Sequence, residues 1–226
     1  MKKIALLDVD DLLQAFITGI NGFNSYLVSV RPDISIKSHY LPKNWGYTEL
    51  GDISKELNEY INKYSDEGLA FKGASEFTKK LKDMGMEVIL LTAHPAIKTI
   101  DRMVNLKKQG IMFDSLYCCA YYDENGKKVY KTKTEFAKAL GLDKDCTFFF
   151  ADDKALTVMD MLVNFKNCHV FTMQRDYNNE ALSNLANLFD EDRSRLHIVP
   201  GGSSIIPDNQ VLALYEKVLE VIGETK

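Results

Sequence analysis

Short runs of mainly apolar residues alternate along this chain with longer segments in which apolar residues recur at helical spacing. The short runs lie at residues 4–7, 88–91, 115–119, 146–150, 169–172 and 196–199. Uninterrupted apolar runs of this length are typical of strands that are buried on both faces of a parallel sheet. The pattern therefore predicts a parallel sheet whose strands are connected by helices.

The longer segments predict the helices. Apolar residues recur at helical spacing from Leu12 to Leu27, which predicts a long amphipathic helix directly after the first strand. A capping box of Thr132 and Glu135 predicts the start of another helix. Further helices are expected at residues 53–64, 96–108, 156–165, 180–188 and 211–222.

The order of these elements predicts an α/β fold with a Rossmann-like, mostly parallel sheet flanked by helices. The first two strands are separated by a long insertion, which predicts a small helical cap inserted after the first strand. The expected core domain comprises residues 1–11 and 70–226, and the expected cap domain comprises residues 12–69.

Composition restricts the class of protein. The chain has 226 residues, 46% of them hydrophobic and 27% charged, which is ordinary for a globular protein. The net charge of −4 argues against a general nucleic-acid binder. No apolar run is long enough for an export signal or a membrane span. The cysteines lack metal-site spacing and are expected to be reduced thiols of a cytoplasmic protein: Cys118, Cys119, Cys146 and Cys168.

Acidic residues follow two of the predicted strands. Asp8 and Asp10 come directly after the first strand, and Asp152 and Asp153 follow the run at 146–150. Open α/β sheets bind ligands at the carboxyl edge of their strands, and crowded carboxylates there are usually neutralised by a cation such as Mg²⁺. The alternative is an acidic turn in which Asp10 or Asp11 only caps the next helix.

A hydroxyl and a lysine complete the set of polar residues near strand ends. Thr92 follows the run at 88–91, and either Lys131 or Lys133 lies at the start of the capped helix. Lys131 is slightly favoured, because Lys133 lies inside the first helical turn and is expected to point outward. Taken singly, the threonine could be a helix cap and the lysine a solvated surface residue.

These motifs, in this order, resemble those of the haloacid dehalogenase-like superfamily of phosphohydrolases. The matching residues lie within 4–153 and are Asp8-Val9-Asp10, Leu91-Thr92, Lys131 or Lys133, and Ala151-Asp152-Asp153. The resemblance implies that Asp8 is both the nucleophile, which forms an aspartyl-phosphate, and a metal ligand. It implies that Asp10 is the acid/base and gives its backbone carbonyl to the metal. Phosphoryl oxygens would be held by Thr92 and the lysine, and Asp152 and Asp153 would complete a Mg²⁺ site.

Elementary chemistry agrees with these roles. A carboxylate can attack phosphorus only if its own charge and that of the phosphate are masked, as Mg²⁺ and a lysine would do. We expect the neighbouring acids to raise the pKa of Asp10, so that it is protonated and can donate to the leaving oxygen. One departure is Asp11, which stands where the family usually has glycine after its second acid. A non-catalytic relative that binds a phosphorylated ligand therefore stays an alternative.

A closer resemblance, to the 5'(3')-deoxyribonucleotidases, concerns the expected cap. Asp8-Val9-Asp10 is followed by Phe16, Pro32-Asp33 and Trp45, and Thr92-Ala93-His94-Pro95 is similar to that family's Thr-Ser-Pro. The resemblance implies that aromatic residues pack against a nucleobase. The candidate substrate-binding residues are Phe16, Trp45, Ala93, His94 and Lys133. The alternatives are that Phe16 is a core residue, that Trp45 packs the cap and that His94 is solvated.

The function predicted from the sequence is that of a Mg²⁺-dependent phosphomonoesterase, with a (deoxy)nucleoside monophosphate as its expected substrate. The enzyme alternatives are phosphatases for another small ester, such as a sugar phosphate, or for a polynucleotide end. The expected partner is a small phosphate ester, with neither a membrane nor a nucleic acid required. The oligomeric state stays open.

Overall fold

The computed structural model describes residues 3–16, 22–33, 53–122, 128–130, 132–142, 146–174, 190–200 and 207–224. The strands within them are β1 (Lys3–Leu7), β2 (Glu87–Pro95), β3 (Ser115–Tyr122), β4 (Lys128–Tyr130), β5 (Thr147–Ala151), β6 (Cys168–Met173) and β7 (Leu196–Val199). The helices within them are α1 (Phe23–Val30), α2 (Ser54–Glu67), α3 (Ala74–Asp83), α4 (Thr99–Lys108), α5 (Lys133–Ala139), α6 (Ala155–Asn164), α7 (Asp190–Arg193) and α8 (Pro207–Glu224).

The strands form one seven-stranded sheet with β1 at its centre. The strand order is β4-β3-β2-β1-β5-β6-β7, and only β4, at the edge, runs antiparallel to its neighbour. Leu7 of β1 pairs with Leu90 of β2 on one side and with Ala151 of β5 on the other. Because these strands are parallel, the residues that follow them emerge at the same edge of the sheet.

Two hydrophobic layers cover the faces of the sheet. The first layer includes Leu81 of α3, Leu106 of α4 and Leu214 of α8. The second includes Ala137 of α5 and Leu162 of α6. Burial on both faces explains why the strands appear in the sequence as continuous apolar runs. The prediction of a Rossmann-like, mostly parallel α/β fold is confirmed.

The predicted long helix after β1 is wrong in its first part. The amides of Leu13 and Gln14 both donate to the carbonyl of Val9 at 2.9 Å, which closes a tight turn instead of starting a helix. Gln14 then forms an isolated bridge with Ala70. Leu12, like Leu13, is fully buried, so its apolar character reflects core packing in a turn. The helix α1 begins only at Phe23.

The helices α1 and α2 lie between β1 and β2 and pack through their own hydrophobic cluster. The buried members are Phe23, Leu27, Ile53, Tyr60 and Tyr64. This position agrees with the predicted helical insertion, whereas the exact domain boundaries stay a prediction. The predicted helix at 180–188 lies outside the described residues. Among the helices that the structure describes, none has the length and hydropathy needed to cross a membrane.

Candidate active site

Acidic residues from two neighbouring strands meet at the carboxyl edge of the sheet. The amide of Asp8 donates to the carbonyl of Ala151 at 2.9 Å, so the ends of β1 and β5 are held in register. Ligand oxygens of Asp8, Asp152 and Asp153 all lie within 4.8 Å of one another. These side chains are buried, with residue exposures of 3%, 0% and 3%. We call them the acidic cluster.

Lys133 inserts its ammonium group between two members of the acidic cluster. Its Nζ lies 2.7 Å from Oδ1 of Asp8 and 2.6 Å from Oδ2 of Asp152. The expectation that Lys133 points outward is therefore wrong, and with it the reason for favouring Lys131. Lys131 itself lies outside the described residues.

The start of α5 explains this orientation of the lysine. Glu135 donates its amide to the hydroxyl of Thr132 at 3.1 Å and accepts the amide of Thr132 at 2.7 Å, which is the predicted capping box. The cap fixes Lys133 as the first helical residue, four positions before the buried Ala137. Residues at this spacing share a helix face, so the lysine lies on the side that packs against the sheet. The four-residue spacing between Lys133 and Ala137 is the feature of the sequence that identifies Lys133 as the inward-facing lysine.

Two lysines offset part of the charge of the acidic cluster: Lys133 contacts two of its members, and although burial opposes the charge of Lys154, Asp153 and Asp8 hold the pKa of that ammonium above its usual value. Burial raises the pKa of the Asp8 carboxyl well above its usual value; Lys133 opposes the rise, and Asp152 adds to it. Burial opposes the positive charge of Lys133, but Asp152 and Asp8 hold the pKa of that ammonium above its usual value. Lys133 is therefore charged at neutral pH, and a further cation beside Asp8 would favour the ionised form of that carboxyl.

The acidic cluster fits a Mg²⁺ ion. It offers carboxylate oxygens only, which hard divalent cations prefer, and no described histidine or cysteine belongs to it. Two additional contacts orient its members, because the amide of Val9 donates to Asp8 at 2.7 Å and the amide of Lys154 donates to Asp152 at 2.8 Å. Such outer contacts fix the direction of metal-binding oxygens.

Asp10 belongs to a second group of residues, although it is only two positions from Asp8. The hydroxyl of Thr92 donates to Oδ2 of Asp10 at 2.6 Å, and Nη2 of Arg102 donates to Oδ1. Burial raises the pKa of Asp10, but the charge of Arg102 and the hydrogen bond from Thr92 outweigh it and hold this pKa below the usual value. The expectation that neighbouring acids keep Asp10 protonated is therefore wrong, because the arginine dominates.

Arg102 of α4 was not among the site residues predicted from the sequence. Its side chain is fully buried, lies against the ring of Tyr64 at 4.3 Å and donates to the Tyr64 hydroxyl at 3.2 Å. The available signal is its position four residues before the buried Leu106, which places an arginine on the inner face of the helix. We call Asp10, Thr92 and Arg102 the Asp10 clamp.

The end of β2 brings Thr92 and Ala93 to the same edge of the sheet. Pairing between β2 and β3 shifts register between Thr92 and Pro95, and such irregularities re-aim side chains at the end of a strand. Thr92 is buried, whereas Ala93 is exposed. Ala93 is thus accessible from solvent, and its role in binding substrate stays a prediction.

His94 is buried rather than solvated, with 3% exposure. Its Nε2 lies 2.8 Å from the hydroxyl of Ser65 in α2, and its amide donates to the Thr92 hydroxyl at 3.2 Å. Burial lowers the pKa of His94 to about 4, with a further contribution from Arg102. The imidazole is therefore neutral at pH 7, and it connects β2 to the inserted helices.

Phe16 packs within an aromatic group next to the Asp10 clamp. Its ring centroid lies 5.1 Å from that of Tyr64, 5.6 Å from that of Tyr60 and 6.4 Å from that of His94. Tilted and edge-on contacts of this kind stabilise packing, and Phe16 remains partly exposed. The other aromatic candidate, Trp45, lies outside the described residues.

Asp11 has a left-handed backbone, with φ of 55°, and is the only non-glycine with positive φ in the described part of the chain. Its side chain accepts the amide of Phe16 at 3.0 Å. Aspartate tolerates this region better than most residues. The turn thus requires the backbone conformation that glycine favours, and Asp11 supplies it with an added hydrogen bond.

Comparison with known proteins identifies the fold. No protein-family model and no curated protein matches the sequence. A predicted phosphatase from Clostridium acetobutylicum has a similar structure, with a TM-score of 0.56, 20% sequence identity, and coverage of 97% of this chain and 99% of that one. A phosphonoacetaldehyde hydrolase like protein from Oleispira antarctica has a TM-score of 0.51 at 12% identity, with 97% and 94% covered. The chain therefore shares its fold with these two proteins over almost its whole length.

Proposed function

We propose that this protein is a Mg²⁺-dependent phosphomonoesterase that acts through an aspartyl-phosphate on Asp8. The observation that carries the proposal is the acidic cluster with Lys133 inserted into it, at the sheet edge where this fold binds ligands. A buried carboxylate, a fixed ammonium group and a set of hard oxygen ligands are the groups that phosphoryl transfer requires.

In the first step, an Asp8 oxygen attacks phosphorus and the bond between phosphorus and the ester oxygen breaks. Lys133 stabilises the charge on the transferring oxygens, and the Thr92 hydroxyl and the Ala93 backbone can orient them. The departing oxygen takes a proton from Asp10. The Asp10 clamp holds this carboxyl ionised in the structure, so it must first acquire a proton, which a nearby phosphate dianion favours by raising its pKa.

In the second step, water attacks the phosphorus of the aspartyl-phosphate, and the bond between phosphorus and Asp8 breaks. Asp10 accepts the proton of that water, for which its ionised state is suited. The products are inorganic phosphate and the regenerated Asp8 carboxylate. The same carboxyl group thus serves both steps, because the leaving oxygen and the attacking water occupy the same side of phosphorus.

The bound Mg²⁺ would supply the positive charge that masks the repulsion between Asp8 and the substrate phosphate. The residues that would hold it are Asp8, Asp152, Asp153 and the backbone carbonyl of Asp10. The donor set supports this assignment, because three buried carboxylates lie within 4.8 Å of one another and Lys133 contacts only two of them.

For the substrate class, we propose (deoxy)nucleoside monophosphates. The support is Phe16, whose partly exposed ring packs against the buried Tyr64 next to the Asp10 clamp. Aromatic side chains stack on bases with a contribution of about 1–3 kcal/mol per base. Trp45, in the predicted cap, is proposed to contribute in the same way.

The direct test of this function compares the parent with Asp8→Asn. The amide fits the same space but cannot attack phosphorus, so we expect phosphate release to fall by at least about a thousandfold while the circular dichroism spectrum is unchanged. Retention of activity within a factor of about ten would contradict the nucleophile assignment. A parent that binds phosphate esters without turnover would instead support a non-catalytic relative.

The substrate class is tested with a panel of nucleotides, sugar phosphates and p-nitrophenyl phosphate. Trp45→Ala should reduce kcat/KM for nucleotides by one to two orders of magnitude, about the loss of one stacking contact, and spare p-nitrophenyl phosphate. Equal loss on both esters would show that Trp45 only holds the structure together. A parent that ignores nucleotides would exclude them and leave the phosphatase activity in place.

A further inference from the structure

Arg102 joins three parts of the molecule that the sequence separates widely. It projects from α4, contacts Asp10 after β1 and contacts Tyr64 of α2. The side chain is fully buried, whereas that of Asp10 is 18% exposed. The carboxylate thus faces the site, and the guanidinium lies behind it.

The burial of Arg102 is poorly compensated. Its Nε and Nη1 atoms are buried and make no hydrogen bond in the described part of the chain. A buried guanidinium with missing partners costs stability, and apolar residues of similar volume often replace such ion pairs without loss. Stability alone therefore gives little reason for an arginine at position 102. The contact of Arg102 with Asp10 gives a better one.

The two oxygens of Asp10 are fixed from two sides. Thr92 donates to Oδ2 and Arg102 donates to Oδ1. Two donors on different oxygens fix both the position and the plane of a carboxylate. An acid/base that serves a leaving oxygen and then a water needs this orientation, because small misplacements of a catalytic group cost large factors in rate.

The same face of α4 also binds the end of α2. Asn105 donates to the carbonyl of Asp66 at 2.8 Å, and Gln109 donates to the carbonyl of Gly68. Neither residue has a described contact with Asp10. They hold the inserted helices against α4 without taking part in the Asp10 clamp, and they supply matched controls for it.

We propose that Arg102 is the positioning residue for Asp10: its guanidinium, with the Thr92 hydroxyl, holds the carboxylate where it serves the leaving oxygen and the attacking water. This role rests on the proposed phosphomonoesterase function. Arg102 is fully buried behind the carboxyl of Asp10 and donates to it, so its proposed contribution to the rate passes through Asp10.

The test uses two esters that differ in their need for an acid. A good leaving group, p-nitrophenolate, departs without a proton, whereas a simple alkyl phosphate requires one. For Arg102→Met, kcat/KM on the alkyl phosphate should fall on the order of tenfold to a hundredfold, with p-nitrophenyl phosphate nearly unaffected. This comparison isolates the first step, because kcat/KM includes only the steps up to the formation of the aspartyl-phosphate. Arg102→Lys should restore part of the loss.

A double-mutant cycle shows whether Arg102 acts through Asp10. The double variant Asp10→Asn/Arg102→Met should be no slower on the alkyl phosphate than Asp10→Asn alone, because no carboxylate is left to position. Asn105→Ala is the control: it weakens the contact with α2 and should change both esters by the same factor.

The outcomes separate the two proposals. Equal loss of both esters in Arg102→Met, or full additivity with Asp10→Asn, would overturn the positioning role. If Arg102→Met does not fold, Arg102→Lys provides the test. Its kcat/KM must fall more on the alkyl phosphate than on p-nitrophenyl phosphate, by a smaller factor than expected for Arg102→Met. A folded parent that hydrolyses neither ester in Mg²⁺ would contradict the proposed function instead.

Discussion

Two groups of residues, whose first acids are separated only by Val9, differ in how their charges are arranged. In the acidic cluster, Lys133 contacts two of three buried carboxylates. In the Asp10 clamp, one carboxylate is paired with Arg102 and with the Thr92 hydroxyl. The first group brings three carboxylates together, whereas the second pairs a single carboxylate with one guanidinium group.

The difference shows how one short motif can supply two functions. Asp8 continues the line of β1 and meets β5, while Asp10 turns toward β2 and α4. The surroundings of each carboxyl, not its residue type, set its pKa. Burial raises the pKa of Asp8, whereas the charge of Arg102 outweighs burial and lowers the pKa of Asp10. The acidic cluster is therefore suited to binding a cation, and the Asp10 clamp to moving a proton.

The largest expected effect comes from Lys133→Met, which removes the only described ammonium in direct contact with both Asp8 and Asp152. We expect kcat to fall about 10²–10³-fold, the usual loss for one fixed donor to a transition state. Steady-state phosphate release measures it. Lys138→Met is the matched control on the same helix, because Lys138 is exposed and bonds Asn164; a similar loss there would contradict the assignment.

Neutralising one acid in each group should change stability in opposite directions. Without metal, Asp10→Asn leaves the buried Arg102 uncompensated and should lower the free energy of unfolding by about 2 kcal/mol, less than for a fully buried pair because Asp10 is partly exposed. Asp8→Asn removes repulsion within the acidic cluster and should raise it by about 1 kcal/mol. Urea unfolding in EDTA measures both, and changes of the same sign would contradict the distinction.

The smallest effect concerns Asp11, which directly follows Asp10 in the turn after β1. Asp11→Gly loses the bond to the Phe16 amide but relieves the positive φ, so stability should change by less than about 1 kcal/mol. Asp11→Ala loses the bond and keeps the strain, and should be about 1 kcal/mol less stable than Asp11→Gly. Urea unfolding again provides the measurement; equal stability of the two variants would show that the left-handed turn carries no strain.

The sheet could be predicted because strands buried on both faces leave a continuous apolar signal. The run at 146–150 predicted β5, and the acids after it were located at the correct edge. The turn after β1 could not be predicted in the same way. Leu12 and Leu13 fit a helical pattern by spacing, but they are buried in a turn, and the next residue, Gln14, pairs with the distant Ala70.

The candidate site was predictable only in part, for physical reasons that differ between its residues. Acids at strand ends are located by topology, since parallel strands bring them together. The direction of Lys133 depends on the rotation of α5, which the capping box and Ala137 specify but a motif does not. Arg102 has no motif at all, and its pairing with Asp10 depends on tertiary packing across 92 residues of sequence.

The most direct test of the account is the effect of Mg²⁺ on thermal unfolding, which requires no knowledge of the substrate. A Mg²⁺ concentration a hundredfold above Kd should raise the Tm of the parent by about 5–10 °C. We expect a similar rise for Asp10→Asn, whose backbone carbonyl is intact, and the loss of most of the rise for Asp153→Asn. A parent whose Tm does not respond to Mg²⁺ would contradict the assignment of the acidic cluster as a cation site.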